Sequence, residues 1–202
     1  MTLLEFLISN TWMIAALWLA LYIFDYVSTL WLARVYQSTL SRNIFYEGGV
    51  ELNPNFEKEI ARGRGPSPRF LVLLSLVLII VLFSGWLGRY FVEFLAGALL
   101  LTWIFVDSRH LRNYALVSFL RRNPEGLKGR SEYSYWLMQK MLSAEAFTFS
   151  LIYLFFTLLT GRLFFLAGVL TCLSFALRHN RLSNRKPPAP KPPRPKITIS
   201  KP

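Results

Sequence analysis

One carboxylic acid with two hydroxyls on the same helical face is the strongest chemical signal in this chain. Asp25 is the single acidic residue in the apolar run 11–33, which has no basic residue, and Ser28 and Thr29 follow it by three and four positions. In a helix this spacing places the three side chains on one face. An acid in an apolar layer must face the protein interior or water. A structural hydrogen bond, a proton- or ion-binding site and contact with a partner are all compatible with this pattern.

A second group of oxygen ligands follows in residues 45–54, FYEGGVELNP. The two glycines allow the backbone to turn, and the proline keeps Asn53 extended. A turn back under the first apolar run would bring Glu51 and Asn53 towards Asp25, and oxygen ligands of this kind suit Mg²⁺ or Ca²⁺. Asp25 lies about two helical turns from the end of its run, so the loop would have to re-enter. The metal site is therefore a secondary hypothesis, and the sequence assigns no cofactor.

Glu93 and Glu145 are the other acids inside apolar runs. They lie about one helical turn from opposite ends of the layer. We therefore expect each to extend to interfacial water rather than to share one paired-carboxylate site. The candidates for ion or proton binding, or for a polar network, are Asp25, Ser28, Thr29, Glu51, Asn53, Glu93 and Glu145.

The two histidines carry no clear catalytic signal. His110 and His179 each follow an arginine at a helix exit, and we expect both to be isolated from acids. We interpret both as surface residues, since neither a nucleophilic triad nor a His-based metal site is indicated. No catalytic residue is predicted, and an enzyme acting on lipid is the least favoured class.

Five apolar runs position these residues. About 20 apolar residues cross a hydrocarbon core of about 30 Å as a helix. The predicted fold class is therefore all-α, an integral membrane protein with five transmembrane helices. The shortest run is extended by Arg162 and Arg178, whose side chains can snorkel outward. The runs cover residues 11–33, 70–88, 90–106, 142–160 and 163–177.

The basic residues predict the orientation. Every Lys and Arg except Arg89 and Arg162 falls in 34–69, in 107–141 or after residue 177. The positive-inside bias then places the N-terminus outside and the C-terminus in the cytoplasm of a cell membrane. No cleaved signal peptide is expected, because the first ten residues carry Glu5 and no basic residue.

The net charge of +12 is interpreted as attraction to the bilayer and its anionic lipid headgroups, and not to nucleic acid. Residues 110–122, HLRNYALVSFLRR, suit an interfacial helix whose basic side chains face lipid phosphates. The candidates for these phosphate contacts are Arg109, Arg112, Arg121 and Arg122.

Matching residues at offsets of 69 to 73 indicate an internal repeat. Gly88-Arg89, the tetrapeptide 94–97, Thr102 and Arg109-His110 recur in the same order in the second half of the chain. Chance similarity of apolar helices is the alternative. Small residues let helices approach closely in lipid, so Ala96, Gly97, Ala167 and Gly168 are predicted helix contacts.

The resulting organisation is one helix plus two tandem hairpins. It consists of a first helix (1–36), a loop (37–69), a first hairpin (70–106), a basic segment (107–141), a second hairpin (142–177) and a basic tail (178–202).

The stretch from Asp25 to Thr29, followed by residues 49–54, GVELNP, resembles a family of small uncharacterised prokaryotic membrane proteins. Members carry an Asp and a Thr in the first span and an E-L-N-P turn before a helical hairpin. The resemblance covers residues 20–106 at most and implies a multi-span topology, with no activity to carry over. This chain departs from the family by a longer first loop and a second hairpin.

Residues 185–202 are rich in proline and basic residues, which favours an extended conformation. They are either a disordered tail above anionic lipid or a tether to other subunits of a membrane complex. The function that the sequence favours is a non-catalytic subunit or assembly component of such a complex. The alternative is a small ion- or proton-coupled transporter or channel that uses Asp25.

Overall fold

Six α-helices form most of the described chain. The computed structural model describes residues 2–36, 44–46, 68–126, 128–129 and 131–185. The five helices after the first are long and apolar enough to cross a membrane, α3 together with the 3₁₀ turn that follows it, which confirms the prediction of five such helices. The helices are α1 (Leu3–Ser9), α2 (Thr11–Val35), α3 (Pro68–Phe83), α4 (Arg89–Arg122), α5 (Tyr135–Thr160) and α6 (Leu163–Ser183).

Local signals explain where several helices begin and end. Thr2 and Glu5 form a capping box at the start of α1, which satisfies backbone N–H groups that have no partner inside the helix. A 3₁₀ turn at Ser84–Leu87 follows α3, and Gly88 (φ 94°) then reverses the chain into α4. Gly161 (φ 64°) ends α5 in the left-handed region, where glycine has no steric penalty.

Helix α4 is longer than the sequence predicts. Its 34 residues extend about 51 Å, which exceeds the thickness of a hydrocarbon core. Residues 110–122 continue this helix without a break, so they are helical but do not form a separate helix. Their location at the membrane interface stays a prediction. The apolar run ends near residue 106, but the backbone hydrogen bonding does not.

Helix α2 lies between the two helices of the first predicted hairpin. Tyr22 of α2 stacks on Phe70 of α3, with ring centroids 4.6 Å apart, and meets Trp103 of α4 edge-on at 5.1 Å. Helix α4 then packs on α6 and α6 on α5, so the helices are ordered α3–α2–α4–α6–α5. The second hairpin is packed as a hairpin: Ser150 of α5 donates a hydrogen bond to the Val169 carbonyl of α6.

The bundle has two distinct ends. A parallel pair of short strands, β1 (Ile44–Tyr46) and β2 (Ser131–Tyr133), joins the segment after α2 to the segment before α5. We call this the basic end. At the opposite end, which we call the turn end, Arg89 pairs with Glu5 of α1 at 3.5 Å. The two strands are a small departure from the all-helical prediction.

Candidate functional site

The contact between α2 and α4 holds the most unusual group of polar side chains. His110 Nε2 lies 2.7 Å from Asp25 Oδ1 and 3.4 Å from Thr29 Oγ1. The side chains of His110 and Asp25 are only 7% and 22% exposed. A hydrogen bond between a carboxyl group and an imidazole is stronger than one between two neutral groups whenever either partner is charged. The prediction that His110 is a surface residue isolated from acids was therefore wrong.

Asp107 lies one helical turn before His110 on α4. It is buried, and neither of its carboxyl oxygens has a hydrogen-bond partner within the described part of the chain. It is close enough to Asp25 for their charges to interact. Buried polar groups are nearly always satisfied, so an unpartnered buried carboxyl requires an explanation. We call Asp25, Thr29, Asp107 and His110 the Asp–His cluster.

The cluster does not have the arrangement of a nucleophilic triad. In a triad the acid and the hydroxyl bind different nitrogens of the imidazole, so that the acid orients the base. Here Asp25 and Thr29 both face Nε2, and Nδ1 is buried without a partner among the described residues. The geometry therefore suits holding and passing a proton rather than activating the Thr29 hydroxyl.

Of the other residues predicted near Asp25, the structure describes Ser28 but not Glu51 and Asn53. Ser28 lies beside the cluster, where it lines a groove between α2 and α4. Glu51 and Asn53 lie outside the described residues, so the magnesium or calcium hypothesis stays a prediction. Within residues 2–36, 44–46, 68–126, 128–129 and 131–185, no group of three or more His, Cys, Asp or Glu side chains is placed to hold a metal ion.

Glu93 is buried in a polar contact at the turn end. Its Oε1 accepts hydrogen bonds from Arg162 Nε at 2.8 Å and from the backbone N–H of Phe164 at 3.4 Å. The same carboxylate thus pairs with a cation and caps the start of α6, where unpaired N–H groups favour negative charge. With its side chain 6% exposed, Glu93 does not extend to interfacial water as predicted.

Glu145 forms a second cross-helix ion pair, with Arg112 of α4. The arginine side chain is 57% exposed and the glutamate 24% exposed, so solvent or headgroups reach this pair. Glu93 and Glu145 belong to different ion pairs, at opposite ends of the bundle. They do not form a paired-carboxylate site.

His179 is also buried, contrary to the expectation of a surface histidine. Its Nδ1 bonds to Oε1 of Gln139, which is fully buried on α5. His110 and His179 are the corresponding residues of the two proposed repeats, 69 positions apart. One therefore faces an acid and the other an amide, so only the His110 partner can ionise.

The small residues predicted as helix contacts lie in the α4–α6 interface. A Cβ atom on Gly97 would come within 1.9 Å of the Phe164 carbonyl oxygen. A Cβ atom on Gly168 would come within 2.5 Å of Leu101 Cδ1. Ala96 and Ala167 are fully buried.

The four arginines proposed to contact lipid phosphates lie at or near the basic end of α4. Arg112 pairs with Glu145, and Arg122 Nε donates to the Ser118 carbonyl. Arg121 is exposed and Arg109 partly exposed. Contact with lipid stays a prediction for all four.

Sequence reasoning missed Asp107, and it misplaced His110. Both were assigned to the segment after the apolar run, because the predicted span ended at residue 106. A signal was present: Asp107 and His110 are three positions apart, so one helical face carries both if the helix continues. The proximity of that face to Asp25 was not encoded by any local pattern.

No protein-family model, no curated protein and no solved structure matches this chain.

Proposed function

We propose that the chain is a multi-pass membrane protein with its N-terminus outside and its basic end in the cytoplasm. Five apolar helices support insertion, since their outward side chains are largely hydrophobic. The β1–β2 pairing supports a common side for the two basic segments, because it joins them at one end of the bundle.

Within this membrane protein, we propose that the Asp–His cluster is the proton-binding site of a small coupled transporter or channel. The observation that carries this function is the part-buried Asp25–His110 hydrogen bond beside the Asp107 carboxyl, which has no partner among the described residues. Two acids and one imidazole carry at most one positive charge against two negative charges. A bound proton removes this imbalance, which is costly in a medium of low dielectric constant.

The position of the cluster gives its access to water. His110 lies 21 residues along α4 from Arg89 at the turn end, a distance of about 30 Å. With Arg89 at the outer boundary of the hydrocarbon core, the proposed orientation has the cluster close to the cytoplasmic boundary. Protons from the cytoplasm then reach Asp25, the most exposed of the three ionisable side chains, and pass through its hydrogen bond to the buried His110 ring.

A non-catalytic subunit is the second candidate function, and α3 favours it. This helix packs mainly on α2, and its outward face is a continuous row of large apolar side chains. In a complex, that face would contact a helix of another subunit through van der Waals packing, since apolar side chains by themselves gain little over contact with lipid. The row includes Leu71, Val72, Leu76, Ile79 and Ile80, which are 43% to 64% exposed.

Proton flux into reconstituted vesicles tests the transporter. Under an imposed pH gradient, we expect the interior of vesicles that contain the wild-type chain to acidify, as reported by a trapped pH-sensitive dye. Asp25→Asn should abolish this signal. Glu125→Gln is the matched control, because it removes one exposed carboxylate outside the cluster. Wild-type flux in Asp25→Asn would overturn the proposal, provided that both variants elute as the same monodisperse species.

Native electrophoresis of mildly solubilised membranes separates the two candidates. Migration of the chain with larger proteins, lost on Leu76→Lys, would support the subunit function.

Cysteine labelling tests the orientation in a Cys172→Ser background. An impermeant maleimide should label Leu3→Cys on intact cells, and Lys128→Cys only after permeabilisation; the reverse pattern would invert the topology.

A further inference from the structure

Two arginines from different turns line one cavity at the turn end of the bundle. Arg89 begins α4 and Arg162 precedes α6, and the two are corresponding residues of the proposed repeats, 73 positions apart. The cavity has a volume of about 260 Å³. We call it the turn-end cavity. Its lining also includes Tyr90, Glu93, Gly161 and Leu163.

The same two arginines stand apart in the distribution of charge along the sequence. All other Lys and Arg residues lie in 34–69, in 107–141 or after residue 177. In the proposed orientation, Arg89 and Arg162 are therefore the two basic residues on the outer side of the membrane, where the positive-inside bias disfavours them. Their convergence on one cavity indicates that they act together.

The guanidinium groups of both arginines have hydrogen-bond donors to spare. Arg162 Nε donates to Glu93, but neither terminal nitrogen of Arg162 makes a hydrogen bond within the described part of the chain. Nη2 is buried, whereas Nη1 is not enclosed and is the nitrogen open to a ligand. Arg89 pairs with Glu5 at 3.5 Å, beyond the usual range of a hydrogen bond, and its side chain is 59% exposed.

The charges around the turn-end cavity favour an anion. Its lining has two arginines and one carboxylate, that of Glu93, which already accepts from Arg162 and from the Phe164 N–H. Glu5 lies outside the lining and offsets part of the Arg89 charge. Helices α4 and α6 both begin here, so the positive ends of two helix dipoles add to the field. One negative charge from a ligand would balance the lining.

The shape and position of the cavity narrow the choice of anion. Planar guanidinium groups bind phosphate oxygens in pairs. Sites for whole organic ligands usually have about 300–1,000 Å³, so this smaller cavity suits a headgroup or a small anion. In the proposed orientation the turn end lies at the outer boundary of the hydrocarbon core, next to the layer of lipid headgroups.

We propose that the turn-end cavity binds a phosphate group between Arg89 and Arg162, either in the headgroup of an outer-leaflet lipid or as free phosphate. This site goes beyond the proton-binding function, since it uses none of the residues of the Asp–His cluster. Glu93 holds Arg162 in place through Nε, and Arg89 exchanges its long contact with Glu5 for a phosphate oxygen.

NMR of the full chain in micelles, with isotope-labelled arginine, tests the proposal. The Nε–H signals of Arg89 and Arg162 are assigned by their loss in Arg89→Lys and Arg162→Lys. Both signals should move and saturate when dihexanoyl phosphatidylglycerol or inorganic phosphate is added. Dihexanoylglycerol is the matched control ligand, because it has the same chains without the phosphate, and it should leave both signals in place.

Arg89→Gln tests the contribution of the second guanidinium. It should raise the Kd measured at the Arg162 signal about tenfold, because it removes one charged donor group from the phosphate. Arg121→Gln is the matched control, since it makes the same change at an exposed arginine near the opposite end of α4, and its Kd should stay within about twofold of wild type. An unmoved Arg162 signal in ligand-free Arg89→Gln shows that the pair with Glu93 is intact.

The outcomes separate the two sources of phosphate. Saturation with phosphatidylglycerol alone identifies the lipid headgroup, saturation with inorganic phosphate alone identifies a free anion, and saturation with both supports the shared phosphate chemistry. Signals that drift linearly without saturation, or that move equally with dihexanoylglycerol, overturn the proposal. Equal Kd values for Arg89→Gln and Arg121→Gln also overturn it. None of these results depends on proton flux through Asp25, so either proposal can fail alone.

Discussion

His110 Nε2 and Asp25 Oδ1 lie 2.7 Å apart, although 85 positions separate the two residues in the chain. This hydrogen bond joins α2 to α4 inside an apolar interface, where water competes weakly for either partner. It also fixes the imidazole so that Nε2 faces the acid and Thr29, while Nδ1 is buried without a partner among the described residues. The stability of the α2–α4 contact and the chemistry of the cluster therefore depend on the same pair.

The Asp25–His110 pair is expected to stabilise the fold cooperatively. Asp25→Asn and His110→Gln should each lower the free energy of unfolding by about 2 kcal/mol, because each removes a charge-assisted hydrogen bond in a buried contact. Denaturation of the purified protein in mixed micelles measures this loss. The sum of the two single losses should exceed the loss in the double variant by at least about 1 kcal/mol.

The double-mutant cycle has a clear contrary result. Strict additivity of the two changes would mean that the residues do not interact. Glu125→Gln is the reference for the loss of an exposed carboxylate, and it should change the free energy of unfolding by less than about 0.5 kcal/mol.

Asp107→Asn is expected to separate stability from function. The Asp107 carboxyl is buried without a partner among the described residues, so an amide of the same size should leave the thermal midpoint unchanged or raise it. Proton flux in vesicles should fall strongly, because the amide cannot exchange a proton. A large drop in the thermal midpoint would show that Asp107 has a structural partner.

Replacing each of three glycines by alanine should lower the free energy of unfolding by different amounts. Gly97→Ala should be the most damaging, with a loss above about 3 kcal/mol, because the new methyl meets the Phe164 backbone at 1.9 Å and neither helix can yield locally. Gly168→Ala should cost about 1–2 kcal/mol, since the nearest atom, at 2.5 Å, belongs to the flexible Leu101 side chain.

Gly85→Ala is the control in this series. Its nearest neighbour would be the Thr11 methyl at 3.7 Å, an ordinary van der Waals distance, so stability should change little. Thermal unfolding of the three purified variants gives the order directly. Equal losses at Gly97 and Gly85 would contradict the α4–α6 packing described above.

The two glutamate–arginine pairs should differ in strength. Glu93→Gln should cost about 3 kcal/mol, because it leaves Arg162 poorly compensated and weakens the cap on α6. Glu145→Gln should cost less than about 1 kcal/mol, since its partner Arg112 is 57% exposed. The same glutamate-to-glutamine change at both sites makes each variant the control for the other.

Raising the salt concentration provides a second measurement of this difference. The small effect of Glu145→Gln should shrink further at high salt, whereas that of Glu93→Gln should persist, because buried charges are screened weakly. A larger loss of stability for Glu145→Gln than for Glu93→Gln would contradict the finding that the Glu93 pair is the more buried of the two.

Apolar composition was sufficient to identify the five long helices. About 20 apolar residues in sequence make a helix of membrane-spanning length whatever their neighbours are, so the runs containing Asp25 and Glu93 were recognised without any tertiary information. The close approach at Gly97 was also predictable in kind, because small residues are what close helix packing requires. The end of α4 was not predictable, because the hydropathy falls at residue 106 while the backbone hydrogen bonds of the helix continue.

By itself, the sequence determined the number of apolar helices, the uneven distribution of basic residues and the presence of an acid at position 25. The tertiary structure decided which side chains meet: that α2 lies between α3 and α4, that His110 faces Asp25, and that Glu93 binds Arg162. The physical reason is that hydropathy is a local property of consecutive residues. The partners of a buried acid instead depend on the order and rotation of helices, which are set by packing between distant parts of the chain.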